Sequence, residues 1–279
     1  MEKLALFELL LSQRGVDGRI PLPVYNKFTG THWILAQLAE LDYLPGDKFL
    51  EPMRDQELEW LLGEKHVKYV KMINNRWRRC GSQEGYALFS LLKLGLADSR
   101  CEDLAGNLIK WQWPDGGWNC DKHPNASHSS FHESWLPMRA LYAYGKASGD
   151  TKALAAAERT AEHFLKRQLY LRLSTGQPAG DVFLRMTYPW YWHYSALTGL
   201  LVVAEMGRIS DPRCQLALDW LESRRLPDGG WPADHKWWTV TERSISGKSL
   251  IHWGTVSPSR SNPWITQTAQ KIFIAAGRN

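Results

Sequence analysis

The sequence repeats itself, and this repetition limits the possible folds more than any other feature. Three polar turns that contain Asp and Gly each follow an apolar helical stretch. They are SQRGVDGRI (12–20), WQWPDGGW (111–118) and SRRLPDGGW (223–231). They are roughly 100 and 110 positions apart, and a weaker copy is visible in each gap, at residues 60–96 and 163–207. Five helix–loop–helix units with a period near ~50 residues indicate an array or a closed ring.

The helical patterns within the units predict two kinds of helix. Apolar residues at 3- and 4-residue spacing predict a helix over 127–144, with Ser127 as N-cap and Gly145 or Gly149 as the stop. An Ala-rich stretch over 151–169 carries charges at i,i+4 intervals, which is typical of an outer helix. The segment 194–206 is apolar on nearly every side, so we expect it to be buried.

Outer helices that alternate with buried inner helices are typical of an α/α toroid. Strand signals are scarce, and the β-rich stretch HVKYVKMI (66–73) shows no hairpin partner. We therefore predict an all-α fold, an α/α toroid of about five helical hairpins around a central cavity, in a single domain spanning 1–279.

Composition excludes several classes of protein. The net charge of +5 comes without a dense basic stripe, so we expect no nucleic-acid partner. Four separated cysteines (Cys80, Cys101, Cys120, Cys214) form no C-x-x-C pair and are too few for a disulfide scaffold. The longest apolar run is far shorter than a membrane-spanning helix, although peripheral membrane contact is possible. We expect a soluble cytoplasmic protein.

The segments WQWPDGGW and RRLPDGGW resemble the Q-W repeat of squalene–hopene and oxidosqualene cyclases, and the matching repeat of protein prenyltransferase β subunits. The resemblance implies an α/α toroid and an isoprenoid substrate. At the repeats themselves we expect an architectural role, with Gly at positive φ in the turn and Trp packed between helices. The D-x-D-D acid of class II cyclases and the D-D-x-x-D motif of class I enzymes are both missing. The zinc-binding Asp-x-Cys pair of the prenyltransferases is also missing, because Cys120 and Asp121 stand in reverse order.

Polar residues before the third inner helix are the candidate catalytic groups. His128 and His132 are four apart and would share a face if both were helical. With Asp121, Cys120 or His193 they could hold a divalent metal such as zinc. Alternatively, His132 and Glu133 could act as an acid and base. A cap or a solvent-exposed histidine is the plainer interpretation.

Aromatic and basic residues at the other loops are the candidate substrate contacts. The stretch YPWYWHY (188–194) could form a cavity wall whose rings stabilise a cation, or it could simply plug the ring. Arginines could grip a diphosphate or carboxylate, and any single one could equally be solvated. The predicted substrate-binding residues are Tyr188, Trp190, Tyr191, Tyr194, Trp33, His32, Arg185, Arg79, Arg243 and Trp264.

Three functions remain open from the sequence. The first is a terpene-cyclase-like or prenyltransferase-like enzyme that binds an isoprenoid or a similar apolar or anionic small molecule. The second is a zinc-dependent transferase, or a lyase or hydrolase acting on glycans, on the same ring. The third is a non-catalytic protein that holds a lipid or peptide, whose cavity would be faced by no titratable group.

Overall fold

The computed structural model describes residues 3–278 and is built almost wholly from helices. The helices are α1 (Lys3–Leu11), α2 (Thr31–Glu40), α3 (Glu51–Leu62), α4 (Glu64–Val67), α5 (Gly81–Lys93), α6 (Arg100–Trp111), α7 (Phe131–Ser148), α8 (Thr151–Leu165), α9 (Ala196–Glu205), α10 (Gln215–Ser223) and α11 (Pro263–Ala275). Two small antiparallel pairs join β1 (Lys71–Ile73) to β2 (Arg76–Arg78), and β3 (Pro232–Ala233) to β4 (Ser257–Ser261). The prediction of an all-α fold is confirmed.

The two Asp-Gly-Gly-Trp turns have the same geometry. The indole Nε1 of Trp118 donates to the Leu108 carbonyl, and that of Trp231 donates to the Leu221 carbonyl. Both indoles are fully buried, and the first Gly of each turn, Gly116 or Gly229, has the predicted positive φ. Each turn therefore connects an outer helix to the next inner helix through one buried tryptophan, which is the architectural role expected for it.

The helices form two concentric layers. Helices α2, α5, α7, α9 and α11 pack against one another in chain order. The outer helices α1, α3, α6, α8 and α10 each pack on an inner one. Eight of the ten residues of α9 are buried, in agreement with its all-round apolar pattern. This alternation is the predicted toroid of five helical hairpins.

The last repeat meets the first, so the ring is closed. The backbone N–H of Gly247 donates to the Lys27 carbonyl at 2.9 Å, and the Ser244 hydroxyl donates to Gln13 at 2.7 Å. At the other end of the inner helices, Lys271 of α11 lies 3.7 Å from the Asp42 carboxylate beyond α2. These contacts join the two ends of the described chain.

Helix α7 begins four residues later than predicted. Ser130, not Ser127, is its N-cap, and the chain before it is a loop. Gly145 does not end the helix. It sits inside α7, where a Cβ would come within 2.6 Å of Leu154 of α8, and the helix stops at Gly149 with φ 78°. The glycine there allows close packing of α7 on α8 instead of marking a boundary.

The prediction that HVKYVKMI lacks a hairpin partner is wrong. Strand β1 pairs with β2 through Asn74 and Asn75, both at positive φ. Two consecutive residues of this conformation make the tight turn typical of a β-hairpin, and asparagine tolerates it better than most residues. Within residues 3–278, none of the helices combines the length and apolarity needed to cross a bilayer.

A glycine substitution tests the packing of the repeat turn. A Cβ on Gly117 would lie 2.4 Å from the Ser134 hydroxyl, whereas one on Gly106, exposed on α6, meets nothing within 4 Å. We expect Gly117→Ala to lower the free energy of unfolding by about 2 kcal/mol. The control Gly106→Ala should raise it by about 0.5–1 kcal/mol, because alanine favours a helix interior. Urea denaturation measures both, and equal effects would contradict this packing.

Candidate functional site

All five inner helices line a cavity on the axis of the ring. Its volume is about 250 Å³, and it lies toward the C-terminal ends of these helices. Its walls are formed by aromatic, apolar and charged side chains, and they include Ala39, Glu40, Asp42, Lys93, Arg139, Tyr188, Trp190, Leu201, Ala204, Glu205, Trp264 and Lys271. The cavity opens to solvent at Asp42, Lys93 and Lys271, whose side chains are exposed. A concave site with apolar and aromatic walls and a few charged groups is a usual form of a small-molecule site.

Three aromatic rings form one side of this cavity. Tyr188 stacks on Trp264 with a centroid distance of 5.3 Å and an interplanar angle of 10°, and it meets Trp190 edge-on at 5.0 Å. The segment that carries them is held in place from the last repeat, because Trp238 Nε1 donates to the Tyr188 carbonyl at 3.0 Å. Tyr188, Trp190 and Trp264 are therefore fixed in the cavity wall, and their contact with a substrate stays a prediction.

A buried arginine bridges two carboxylates in the cavity wall, next to the aromatic rings. Arg139 of α7 donates to Glu40 of α2 at 2.6 Å and to both oxygens of Glu205 of α9 at 2.7 Å. Trp190 Nε1 also donates to Glu40, at 3.1 Å. Burial lowers the pKa of Arg139, but the carboxylates of Glu205 and Glu40 outweigh burial and raise it above its ordinary value. The three charges together leave a net charge of about −1 beside the aromatic wall.

A second polar group lies at the N-terminal ends of α5 and α7. It contains Cys80, Cys120 and Glu133, whose ligand atoms all lie within 4.8 Å of one another. Glu133 Oε2 accepts from the backbone N–H and the hydroxyl of Ser82, at 3.1 and 2.7 Å. Burial raises the pKa of Glu133. We call these three residues the thiol–carboxylate cluster.

The predicted histidines at this end come together in part. His132 Nδ1 accepts from the backbone N–H of Tyr194 at 2.8 Å, and the rings of His132 and His193 lie 6.1 Å apart. His193 in turn stacks on Trp237 at 3.7 Å. Burial lowers the pKa of both histidines, to about 3 for His193. His132 thus contacts both His193 and Tyr194, but none of these three residues lines the axial cavity.

His128 and Asp121 lie elsewhere. Both are exposed in the loop before α7, so His128 does not share a helix face with His132, and that prediction is wrong. Of the five residues named as possible metal ligands, His128, His132, Asp121, Cys120 and His193, only Cys120 belongs to the group that the described residues bring together. The physical reason is the late start of α7, which leaves His128 in the loop.

The remaining predicted contacts lie outside the cavity walls. Arg185 and Arg243 are exposed, and Arg79 pairs with the buried Glu84. His32 is buried against Glu57 at 2.7 Å. The rings of Trp33, Tyr191 and Tyr194 are buried in the hydrophobic core, where Tyr191 stacks on Phe28 at 4.0 Å. In the stretch YPWYWHY, Tyr191 and Tyr194 therefore fill the core of the ring, whereas Tyr188 and Trp190 line the cavity.

The predicted site is thus divided between two places. Glu133 and Arg139 are six residues apart on α7, which corresponds to about 9 Å along the helix axis. The sequence did not single out Glu40, Arg139 and Glu205, because they lie within the inner helices and not in the loops before them. The available signal was a single charge within each otherwise apolar inner segment, as in ILAQLAE, LPMRALY and LLVVAE.

Comparisons with known proteins give only distant likenesses. No protein-family model matches the chain, and no curated protein matches it. Among solved structures, the type II terpene cyclase MstE from Scytonema bound to merosterolic acid A is 16% identical, with 98% of this chain and 95% of that chain covered and a TM-score of 0.29. A protein from Actinoplanes is 15% identical, with 99% and 100% covered and a TM-score of 0.34. TM-scores of this size carry no inference about function, and the toroid is defined by the helix packing described above.

Removing the buried arginine tests the charge cluster. Arg139→Met leaves Glu40 buried without its partner, so we expect the free energy of unfolding to fall by about 3 kcal/mol. Adding Glu40→Gln to that variant should recover a large part of the loss. Arg213→Met is the control, because its pairs with Asp211 and Glu162 are about one-third exposed and are worth under about 1 kcal/mol. Equal losses in the two single variants, measured in urea, would contradict the account.

Buried neutral histidines predict acid sensitivity. Burial lowers the pKa of His163 to about 4 and that of His193 to about 3, whereas in the unfolded chain both titrate near about 6.5. The unfolded chain therefore binds more protons below pH ~6.5, and stability falls as the pH falls toward ~4. Each histidine contributes about 1.4 kcal/mol per pH unit in this window.

The matched variants are His193→Phe, which retains the stacking on Trp237, and His128→Phe, which replaces an exposed histidine. We expect only the first to flatten the dependence of the unfolding free energy on pH between about 6 and 4.5. The same slope in both variants would show that His193 is not buried in its neutral form.

Proposed function

We propose that the chain is a terpene-cyclase-like enzyme that binds an isoprenoid or a similar apolar chain in the axial cavity. The observation that carries this proposal is the aromatic wall of Tyr188, Trp190 and Trp264 facing the axial cavity. Apolar side chains such as Leu201 complete the lining. A prenyl chain needs an apolar surface of this kind, because it offers few hydrogen-bonding groups.

The same wall suits a reaction that passes through a carbocation. Aromatic faces attract cations, and the attraction increases when water is excluded. The net negative charge of the Glu40–Arg139–Glu205 group adds an electrostatic field that also stabilises a cation. Glu205, whose side chain is 36% exposed, is the member of this group that we propose to face the substrate.

An anionic substrate is less well served by this site. The guanidinium nitrogens of Arg139 already donate to Glu40 and Glu205, so this side chain has no free pair of N–H groups to bind a diphosphate or a uronate. At the rim, Lys93 lies 3.0 Å from Asp42, and Lys271 lies 3.7 Å from the same residue. Asp42 balances only one of these two lysines, but the three acidic and three basic side chains of the lining sum to zero, so the cavity as a whole offers an acidic glycan no net positive charge.

The presence of titratable groups on the cavity also favours an enzyme over a passive carrier. A carrier of lipid or peptide was expected to have none facing its ligand. Glu40, Arg139 and Glu205 do line the cavity, although His128, His132 and Glu133 do not. We therefore place the proposed chemistry at the carboxylates of the inner helices and not at the histidines.

Filling the cavity tests the proposal. Leu201 lines the cavity, whereas Leu216 is exposed on α10. Leu201→Trp and Leu216→Trp therefore make the same change in the cavity and on the protein surface. Farnesyl, geranylgeranyl and squalene substrates are incubated with each protein, and bound ligand and cyclic products are measured by mass spectrometry. We expect Leu201→Trp to weaken binding at least about tenfold, equivalent to ~1.4 kcal/mol, and Leu216→Trp to leave it unchanged.

A charge variant separates binding from catalysis. Glu205→Gln keeps the size of the side chain and removes its charge, so we expect binding within about twofold of the parent and turnover reduced about tenfold or more. If the parent protein binds and converts none of these isoprenoids, the proposed function is wrong.

A further inference from the structure

We propose that Cys80, Cys120 and Glu133 form a zinc site with one open coordination position. This site is separate from the axial cavity and does not depend on the proposed isoprenoid chemistry. Two sulfur donors and one carboxylate oxygen are a donor set that zinc accepts, and three protein ligands are the number typical of a zinc ion that keeps a fourth position for water or substrate. The proposal follows from the spatial arrangement of the three side chains.

The distances match tetrahedral coordination. With Zn–S near 2.3 Å and Zn–O near 2.1 Å, a tetrahedral S···O edge is about 3.6 Å. The Cys120 Sγ lies 3.7 Å from Glu133 Oε1. All three donor atoms lie within 4.8 Å of one another, so each needs to move by no more than about 1 Å to contact one ion.

The cluster is held in place by residues that are not its ligands. The second oxygen of Glu133 is fixed by the backbone N–H and hydroxyl of Ser82, which leaves Oε1 directed toward Cys120. The segments that precede the two cysteines are joined, because the backbone N–H of Arg79 donates to the Asn119 carbonyl at 3.1 Å. Outer contacts of this kind orient metal ligands before the ion binds.

The position of the cluster also favours anionic ligands. Cys80 is the N-cap of α5, and Glu133 lies in the first turn of α7. The positive ends of two helices point at these donors and oppose the effect of burial, which raises the pKa of Glu133. Cys80 and Cys120 are partly exposed, whereas Cys101 and Cys214 are buried. A metal ion and a fourth ligand can thus reach the cluster from solvent.

Soft sulfur donors narrow the choice of metal. Thiolates disfavour magnesium and calcium, which prefer oxygen ligands, and they favour zinc among the common divalent ions. The donor set differs from the Asp-x-Cys pair of the prenyltransferases, because it joins two cysteines from separate loops to a glutamate and contains no aspartate. A water molecule at the open position would be polarised by the ion, which makes it a source of hydroxide near neutral pH.

The experiment measures metal content and the ligands of the bound ion. The full chain is purified under reducing conditions with zinc supplied, and zinc per chain is determined by elemental mass spectrometry. We expect about one zinc per chain. Replacement by Co²⁺ should give a thiolate-to-cobalt charge-transfer band with the intensity of two thiolates, and the intensity should halve in Cys80→Ser or in Cys120→Ser.

Control variants separate this site from general thiol chemistry. Cys101→Ala and Cys214→Ala should leave zinc content and the cobalt band unchanged, whereas Glu133→Gln should weaken zinc binding at least about tenfold. Circular dichroism checks the fold of each variant. If a variant fails to fold, the cobalt spectrum of the parent protein still decides the matter, because a spectrum without thiolate bands contradicts the proposal.

Two other results would overturn the site. One is a parent protein that holds no zinc after dialysis against micromolar free zinc. The other is a reduced protein that spontaneously forms a Cys80–Cys120 disulfide and binds no metal before it forms. Neither result touches the isoprenoid assay, and Leu201→Trp should leave the zinc content unchanged, so failure of this inference is distinguishable from failure of the proposed function.

Discussion

The hydrogen bond from a buried tryptophan to the last turn of the preceding outer helix is the contact on which this ring depends. Trp118 and Trp231 make it to carbonyls ten residues earlier, and in both turns the tryptophan backbone N–H donates to a hydroxyl of the following inner helix, Ser134 or Thr266, at 2.9 Å. One residue thus sets the position of two helices in each of these two repeats. A run of helical hairpins curves, and five of them close here.

Closure brings Arg139, near the middle of α7, together with Glu40 and Glu205 at the C-terminal ends of α2 and α9, and this explains the buried charges. Arg139, Glu40 and Glu205 come from three different inner helices and are far apart in sequence. Each alone would be costly in an apolar helix, but together they satisfy one another. The rings of Tyr188 and Trp190 then separate this group from the plugged end of the annulus. The cavity and the thiol–carboxylate cluster are therefore two distinct sites on α7.

The sequence predicted the repeat and the two layers, because helical period and turn chemistry are local signals. It did not predict the charge cluster of the cavity, since pairing across the axis depends on which helix faces which. The sequence did not indicate the thiol–carboxylate cluster for a similar reason. Cys80 lies 40 positions before Cys120, and their loops are joined by a backbone contact between Arg79 and Asn119 that no local signal predicts. The start of α7 was placed one turn early, and this error alone produced the incorrect pairing of His128 with His132.

Cross-linking of the first repeat to the last is the most direct test of the closed ring. The Lys27 backbone N–H donates to the Ser246 hydroxyl at 3.2 Å, so cysteines at positions 27 and 246 lie close together only if the ring closes. The account predicts that Lys27→Cys/Ser246→Cys forms a disulfide in the folded protein, detected by peptide mass spectrometry, and that Lys27→Cys/Ser210→Cys does not. Absence of the 27–246 cross-link in folded protein, or equal cross-linking of both pairs, would contradict the closed toroid.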